Sequence, residues 1–197
     1  MSDLDPEAER LLAFWFEPDH RTCWFESTAA FDEACRELAV PLFDAALSGE
    51  FDGWAGTARG ALALVILLDQ MPRNVFRGTA RAFAYDEKAR AVSSAAVTAG
   101  MDRQLSPEEK IFLYLPFEHS EDLDDQRRSV ELFTALGDAE ALKYAVVHLE
   151  IIERFGRFPH RNAALGRTST PQERDYLAGS GAAFEASQQP PDDSESD

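Results

Sequence analysis

Read only for apolar and polar positions, the chain from Pro6 to about Phe184 is a run of helical patterns joined by short connections. Asp5-Pro6 is a helix start, with Asp as N-cap and Pro at the first helical position. It leads into Leu11, Leu12, Phe14, Trp15 and Phe16. A second helix is predicted from about Ser27 to Leu47, with Phe31, Cys35, Leu38 and Leu42 on one face, interrupted at Pro41 and ended at Ser48-Gly49. Ala61–Leu68 is a continuous apolar run of eight residues. A buried strand has the same periodicity, but Ala and Leu dominate and the pattern runs on to Met71, which predicts helix. Thr57 caps it, Pro72 stops it, and it should be the most buried helix.

Further along, Thr79 is expected to open a helix lasting to Gly100. Ser106-Pro107-Glu108-Glu109 is a capping box, and its helix carries Ile111 to Leu115 and halts at Pro116. Ser120 caps the next, with Glu121 and Asp122 in the first turn, Leu123, Val130 and Phe133 inward, and Gly137 at the end. Asp138 opens a helix running to about Phe155 and stopped by Gly156, and Thr170-Pro171-Gln172-Glu173 is a second capping box before a short last helix. No convincing strand appears. The expectation is an all-α fold of about eight helices in one domain, residues 1–186, with an acidic disordered tail at 187–197.

Charge changes the picture more than size does. Nineteen basic residues stand against 36 acidic ones, a net charge of −17, which argues against nucleic acid or an anionic membrane surface as partner. The longest apolar run falls well short of the roughly 20 residues that cross a bilayer. The start, Met1-Ser2-Asp3-Leu4-Asp5, is acidic where an export signal is basic. Cys23 and Cys35 form no metal-ligand spacing or disulfide framework, so a reduced, cytoplasmic protein is expected. Sixteen of the 19 basic residues are Arg, and they are unevenly spread. Met71–Arg81 holds three and Arg154–Arg167 four, with no acid in either stretch.

These two islands contain a repeated loop. Asp69-Gln70-Met71-Pro72-Arg73-Asn74-Val75-Phe76-Arg77-Gly78-Thr79 is echoed by Arg157-Phe158-Pro159-His160-Arg161-Asn162-Ala163-Ala164-Leu165-Gly166-Arg167-Thr168. Each follows a strongly apolar helix. Either the loops face a common groove, or their Arg and Asn side chains cap carbonyls left open by the preceding helix.

The strings Phe14-Trp15-Phe16, Trp24-Phe25, Leu67 to Asn74, Arg77-Gly78-Thr79, Tyr114 to Asp122 and Phe155 to Asn162 resemble the bacterial family called domain of unknown function 924. The resemblance extends to about Leu177; Glu17 stands where Gly is usual, and Met71 where Phe is usual. It implies a tetratricopeptide-like, right-handed stack of helix pairs. It brings no established activity and no assigned catalytic residues.

Planar, always-charged guanidinium suits a carboxylate or phosphate. The candidate binding residues are Asp69, Arg73, Asn74, Arg77, Glu118, Arg157, His160, Arg161, Asn162 and Arg167. The partner expected is a small anion or the acidic terminus of a protein or peptide. A second reading is an enzyme acting on a small anionic substrate, with His119, His148 or His160 as general acid or base. A third makes the network structural: Glu150–Arg154 and Glu153–Arg157 stand at helical pairing distance, and Arg73 or Arg161 could neutralise Asp69, Glu118 or Asp122. The histidines and carboxylates lack the spacing that puts two metal ligands on one helical face, so no metal site is assigned. No nucleotide loop or nucleophile elbow implies a cofactor or covalent catalysis.

Overall fold

The structure is a computed structural model that describes residues 4–181. The tail beginning at residue 187, and the end of the last predicted helix, lie outside the described residues. The fold is all-α, with no strand among the described residues. Its helices are α1 (Pro6–Trp15), α2 (Ala29–Ala39), α3 (Phe43–Ser48), α4 (Ala58–Val65), α5 (Met71–Val75), α6 (Asp86–Thr98), α7 (Pro107–Glu118), α8 (Leu123–Leu136), α9 (Ala139–Phe155) and α10 (Pro171–Leu177).

The apolar run forms the centre. Every residue from Ala61 to Leu68 has zero exposure, and α1, α6 and α7 pack around α4. Aromatic side chains lock α1 to α7 and to α2: the Trp15 ring meets Phe112 edge-on at 5.5 Å and Phe31 at 5.8 Å. A smaller apolar cluster of Ile151, Ile152, Phe158 and Tyr176 joins α9 to α10.

Most starts and stops follow the local chemistry. Thr57 accepts the Gly60 amide, both capping boxes form, and Gly137 and Gly156 take the left-handed conformation that ends α8 and α9. Pro41 breaks its helix into α2, a tight turn over Val40–Leu42, and α3. Four expectations need correction. Pro72 does not stop the central helix, because a π-helical turn over Ile66–Gln70 widens it just before the ring. There the Met71 amide donates to the Ile66 carbonyl, and Pro72 enters the first turn of α5, where no N–H is needed. Pro116 lies inside the last turn of α7, which runs on to Glu118. Asp122, not Ser120, caps α8, accepting the amides of Asp124 and Asp125. Ser120 is tied by its carbonyl to the buried Gln126 amide at 2.6 Å. The stretch from Thr79 opens as a tight turn over Ala80–Phe83, and α6 starts only at Asp86.

Gly60 gives a clean test of the packing around α4. A Cβ there would sit 2.1 Å from the Trp54 carbonyl oxygen, whereas one at Gly53 would meet nothing within 4 Å. Gly60→Ala is expected to destabilise by about 1–3 kcal/mol in urea unfolding, with Gly53→Ala much closer to wild type.

Candidate functional site

The π turn places a carboxylate where a regular helix would not. Asp69 lies within it and has no exposure at all. A buried anion must be paired, and Asp69 has three partners. The His119 ring Nδ1 donates to its two oxygens, both at 2.9 Å. The Gln70 amide donates at 2.5 Å, and the Arg73 guanidinium lies 3.4 Å away. Burial pushes the Asp69 carboxyl up, but Arg73 and His119 overcome this and hold it well below the usual range.

Arg73 also forks onto Asp86 through two bonds of 3.0 Å. Arg161, from the second loop, approaches the same Asp86 at 3.4 Å. The two equivalent arginines of the repeated loops therefore meet at one carboxylate at the start of α6. The Arg161 guanidinium is stacked by Phe83 on one contact, 4.7 Å to the ring centre, and by Phe158 on another, 4.5 Å. The Phe158 ring lies 5.5 Å from His148 and 5.4 Å from His160. His148 in turn lies 6.3 Å from His119. The contacts thus close into a loop: Arg161, Asp86, Arg73, Asp69, His119, His148, Phe158 and back to Arg161.

Glu118 completes the cluster. It is buried at the end of α7, with its carboxyl 3.2 Å from His148 Nδ1. That nitrogen also lies 2.9 Å from the Tyr144 carbonyl, to which it donates. No Arg or Lys among the described residues lies within ion-pair distance of Glu118. Burial, reinforced by Asp69, pushes its carboxyl up to about 8, so it is uncharged at neutral pH. Burial likewise lowers the histidines, His148 to about 3 and His160 to about 2, with nearby positive groups adding to the effect. His119 is lowered by burial and Arg73 against the opposing pull of Asp69. At neutral pH two guanidiniums are thus balanced by Asp69 and Asp86 among neutral imidazoles.

The remaining candidates sit elsewhere and have partners. Asn74 donates to Asp32 at 2.7 Å, and Arg77 reaches the same carboxylate at 3.1 Å. In the second loop, Arg157 forks onto Glu173 at 2.6 and 2.9 Å, and Asn162 donates to Ser169 at 3.0 Å. Arg167 forks onto Glu121 at 2.7 and 3.0 Å. Arg157 therefore turns to Glu173 rather than Glu153, and Arg154 lies over the Phe155 ring at 4.6 Å. Asp122 is occupied as a cap. Asp86, Phe83 and Phe158 were missed as site residues. Phe158 stood inside the repeated loop and occupies the place of Met71, but Asp86 gives no local signal, lying 75 positions from Arg161.

Among the described residues no group of three or more His, Cys, Asp and Glu side chains is arranged to hold a metal ion. A depression of about 670 Å³, lined by Leu4, Asp5, Glu50, Phe51, Gly53, Trp54 and Thr57, shares no residue with the cluster. It contains none of the histidines or arginines of the cluster.

Glu118 leaves a signature in stability. The folded chain keeps a proton that the unfolded chain has already released, so stability falls as pH rises towards about 8. The lowered histidines act in the opposite sense, but only below about pH 6.5. Between about pH 6.5 and 8, the wild type is expected to lose up to about 1.4 kcal/mol per pH unit in urea unfolding, and Glu118→Gln to be nearly flat.

The family model described as a bacterial protein of unknown function (DUF924) matches residues 11–181. A solved structure of a protein of unknown function from Agrobacterium tumefaciens is 43% identical, with a TM-score of 0.82, covering 86% of this chain and 96% of that one. No curated protein matches. No helix among the described residues is long and apolar enough to cross a membrane. The match over nearly the whole helical region, together with this likeness, makes the chain a member of the bacterial family of unknown function DUF924.

Proposed function

We propose that this protein binds a small anion, through a carboxylate or phosphate group, on the free edge of the Arg161 guanidinium. The observation that carries this reading is the state of Arg161 itself. It is only 6% exposed, and among the described residues its buried Nε has no acceptor and its one ion contact is the 3.4 Å approach to Asp86. A buried guanidinium normally has its donors satisfied, because each unmade bond forfeits the water it replaced. Burial, with Arg73 adding to it, pushes Arg161 down to about 10, which still leaves it charged at neutral pH.

The geometry favours an end-on ligand. Phe83 and Phe158 lie against the guanidinium and Nη1 turns to Asp86, which leaves Nε and Nη2 as the donors an anion would meet. Two coplanar oxygens of a carboxylate or phosphate match that fork. Arg73 stands beside it on the shared Asp86, while Arg77, Arg157 and Arg167 keep the two loops in shape. The depth of Arg161 favours a small molecule over the terminus of a folded partner.

The reading is tested by thermal unfolding at neutral pH with phosphate, acetate and succinate. An anion at 100 times its dissociation constant adds about 2.7 kcal/mol of stability. At least one of these is expected to raise the melting temperature, and Arg161→Met, which keeps an apolar chain between the two rings, is expected to remove the effect. A shift unchanged in Arg161→Met, or no shift with any anion, would leave Arg161 a structural residue.

A further inference from the structure

The groups beside Arg161 do more than complete an anion site. His119 donates from Nδ1 to Asp69, which leaves the lone pair on Nε2 and fixes the ring. Its side chain is 14% exposed while Asp69 is wholly enclosed, so the imidazole is the accessible end of the pair. Next to it on α7, Glu118 is buried against His148 without a cationic partner. Gln126, itself wholly buried, holds the Glu118 carbonyl at 2.6 Å and so fixes the end of the helix that carries both residues. Pairing with Arg73 and His119 favours the ionised form of Asp69, and burial without a cation favours the protonated form of Glu118. Environments that separate two carboxyls in this way divide the roles of base and acid.

Resting on the anion site at Arg161, we propose that the cluster is an acid–base centre for small 2-oxo carboxylates, with His119 as base and Glu118 as acid in a keto–enol proton transfer. The substrate carboxylate lies on Arg161. His119 Nε2 takes a proton from the carbon next to the keto carbon, and the C–H electron pair becomes the new C=C bond. The carbonyl π pair moves onto its oxygen, which takes the proton from Glu118. His119 is then an imidazolium supported by Asp69 and Glu118 a carboxylate, and the reverse transfer restores both. These two groups close the balance of the step without an oxidant, reductant or co-reactant. Asp69 is a positioning residue: it sets the His119 tautomer and its basicity.

The test uses 2-oxobutyrate in D2O with the full chain, following loss of the C3 proton signal by NMR. Binding is read in the same samples by saturation transfer from protein to ligand. Wild-type protein is expected to accelerate the exchange over buffer, with His119→Gln and Glu118→Gln each lowering it about 100-fold or more while binding persists. Asp69→Asn is expected to move the pH profile of the exchange, which a residue that merely supports the fold leaves in place; Glu118→Gln, an isostere, keeps the assignment testable if Asp69→Asn does not fold. If 2-oxobutyrate binds and Arg161→Met abolishes binding, yet exchange stays at the buffer rate, the acid–base assignment falls and the anion site stands. If 2-oxobutyrate does not bind while phosphate or acetate does, the substrate class is overturned. If no anion binds, both readings fail.

Discussion

An ionised carboxylate with no contact with water has to be matched by charge and by hydrogen bonds, and the site is organised around that requirement at Asp69. Arg73 supplies the charge, His119 and Gln70 supply donors, and each is held in turn by something further out. Arg73 is fixed by its fork to Asp86, and His119 by the end of α7, which Gln126 pins to α8. The π turn makes this possible. It adds one residue to a helical turn, and within it Asp69 meets His119, Gln70 and Arg73 while Leu67 and Leu68 stay in the core.

The two Arg-Asn loops show how the same local sequence divides its duties. In each, Asn and one or two arginines close onto carboxylates: Asp32 for the first loop, Glu173 and Glu121 for the second, where Asn162 also reaches Glu173 at 3.4 Å. These bonds shape the backbone. The arginine of each Arg-Asn pair points the other way, and both reach Asp86. Asp86 is shared unequally between the two guanidiniums. Arg73 takes the bidentate geometry at 3.0 Å, and Arg161 is left at 3.4 Å with donors to spare. The competition for Asp86 is the physical origin of the proposed anion site.

The surroundings set the chemistry of that site. Phe83 and Phe158 lie against the Arg161 guanidinium, and burial of the cluster keeps the histidines neutral and Glu118 protonated. Removing solvent strengthens whatever charge interactions remain. A strongly acidic chain thereby maintains a small region where two largely buried guanidiniums stand among neutral imidazoles.

How much of this could be read from the chain depends on the range of the interaction. Helix starts at Asp5, Thr57, Ser106, Asp138 and Thr170 were legible because a cap bonds to amides two or three residues away. The buried central helix was legible because eight apolar residues in a row have nowhere else to go. The Arg-rich loops and the histidines stood out as candidates for the same reason: residue type and spacing are local facts. What the sequence by itself determined is the all-α class, most of the caps and the list of polar groups in the two loops. What only the tertiary structure decided is which carboxylate each arginine meets. Asp86 is 13 positions from Arg73 and 75 from Arg161, and Asp69 is 50 from His119. Pairs so far apart are chosen by how the helices pack, and burial then decides which of the groups brought together carry charge.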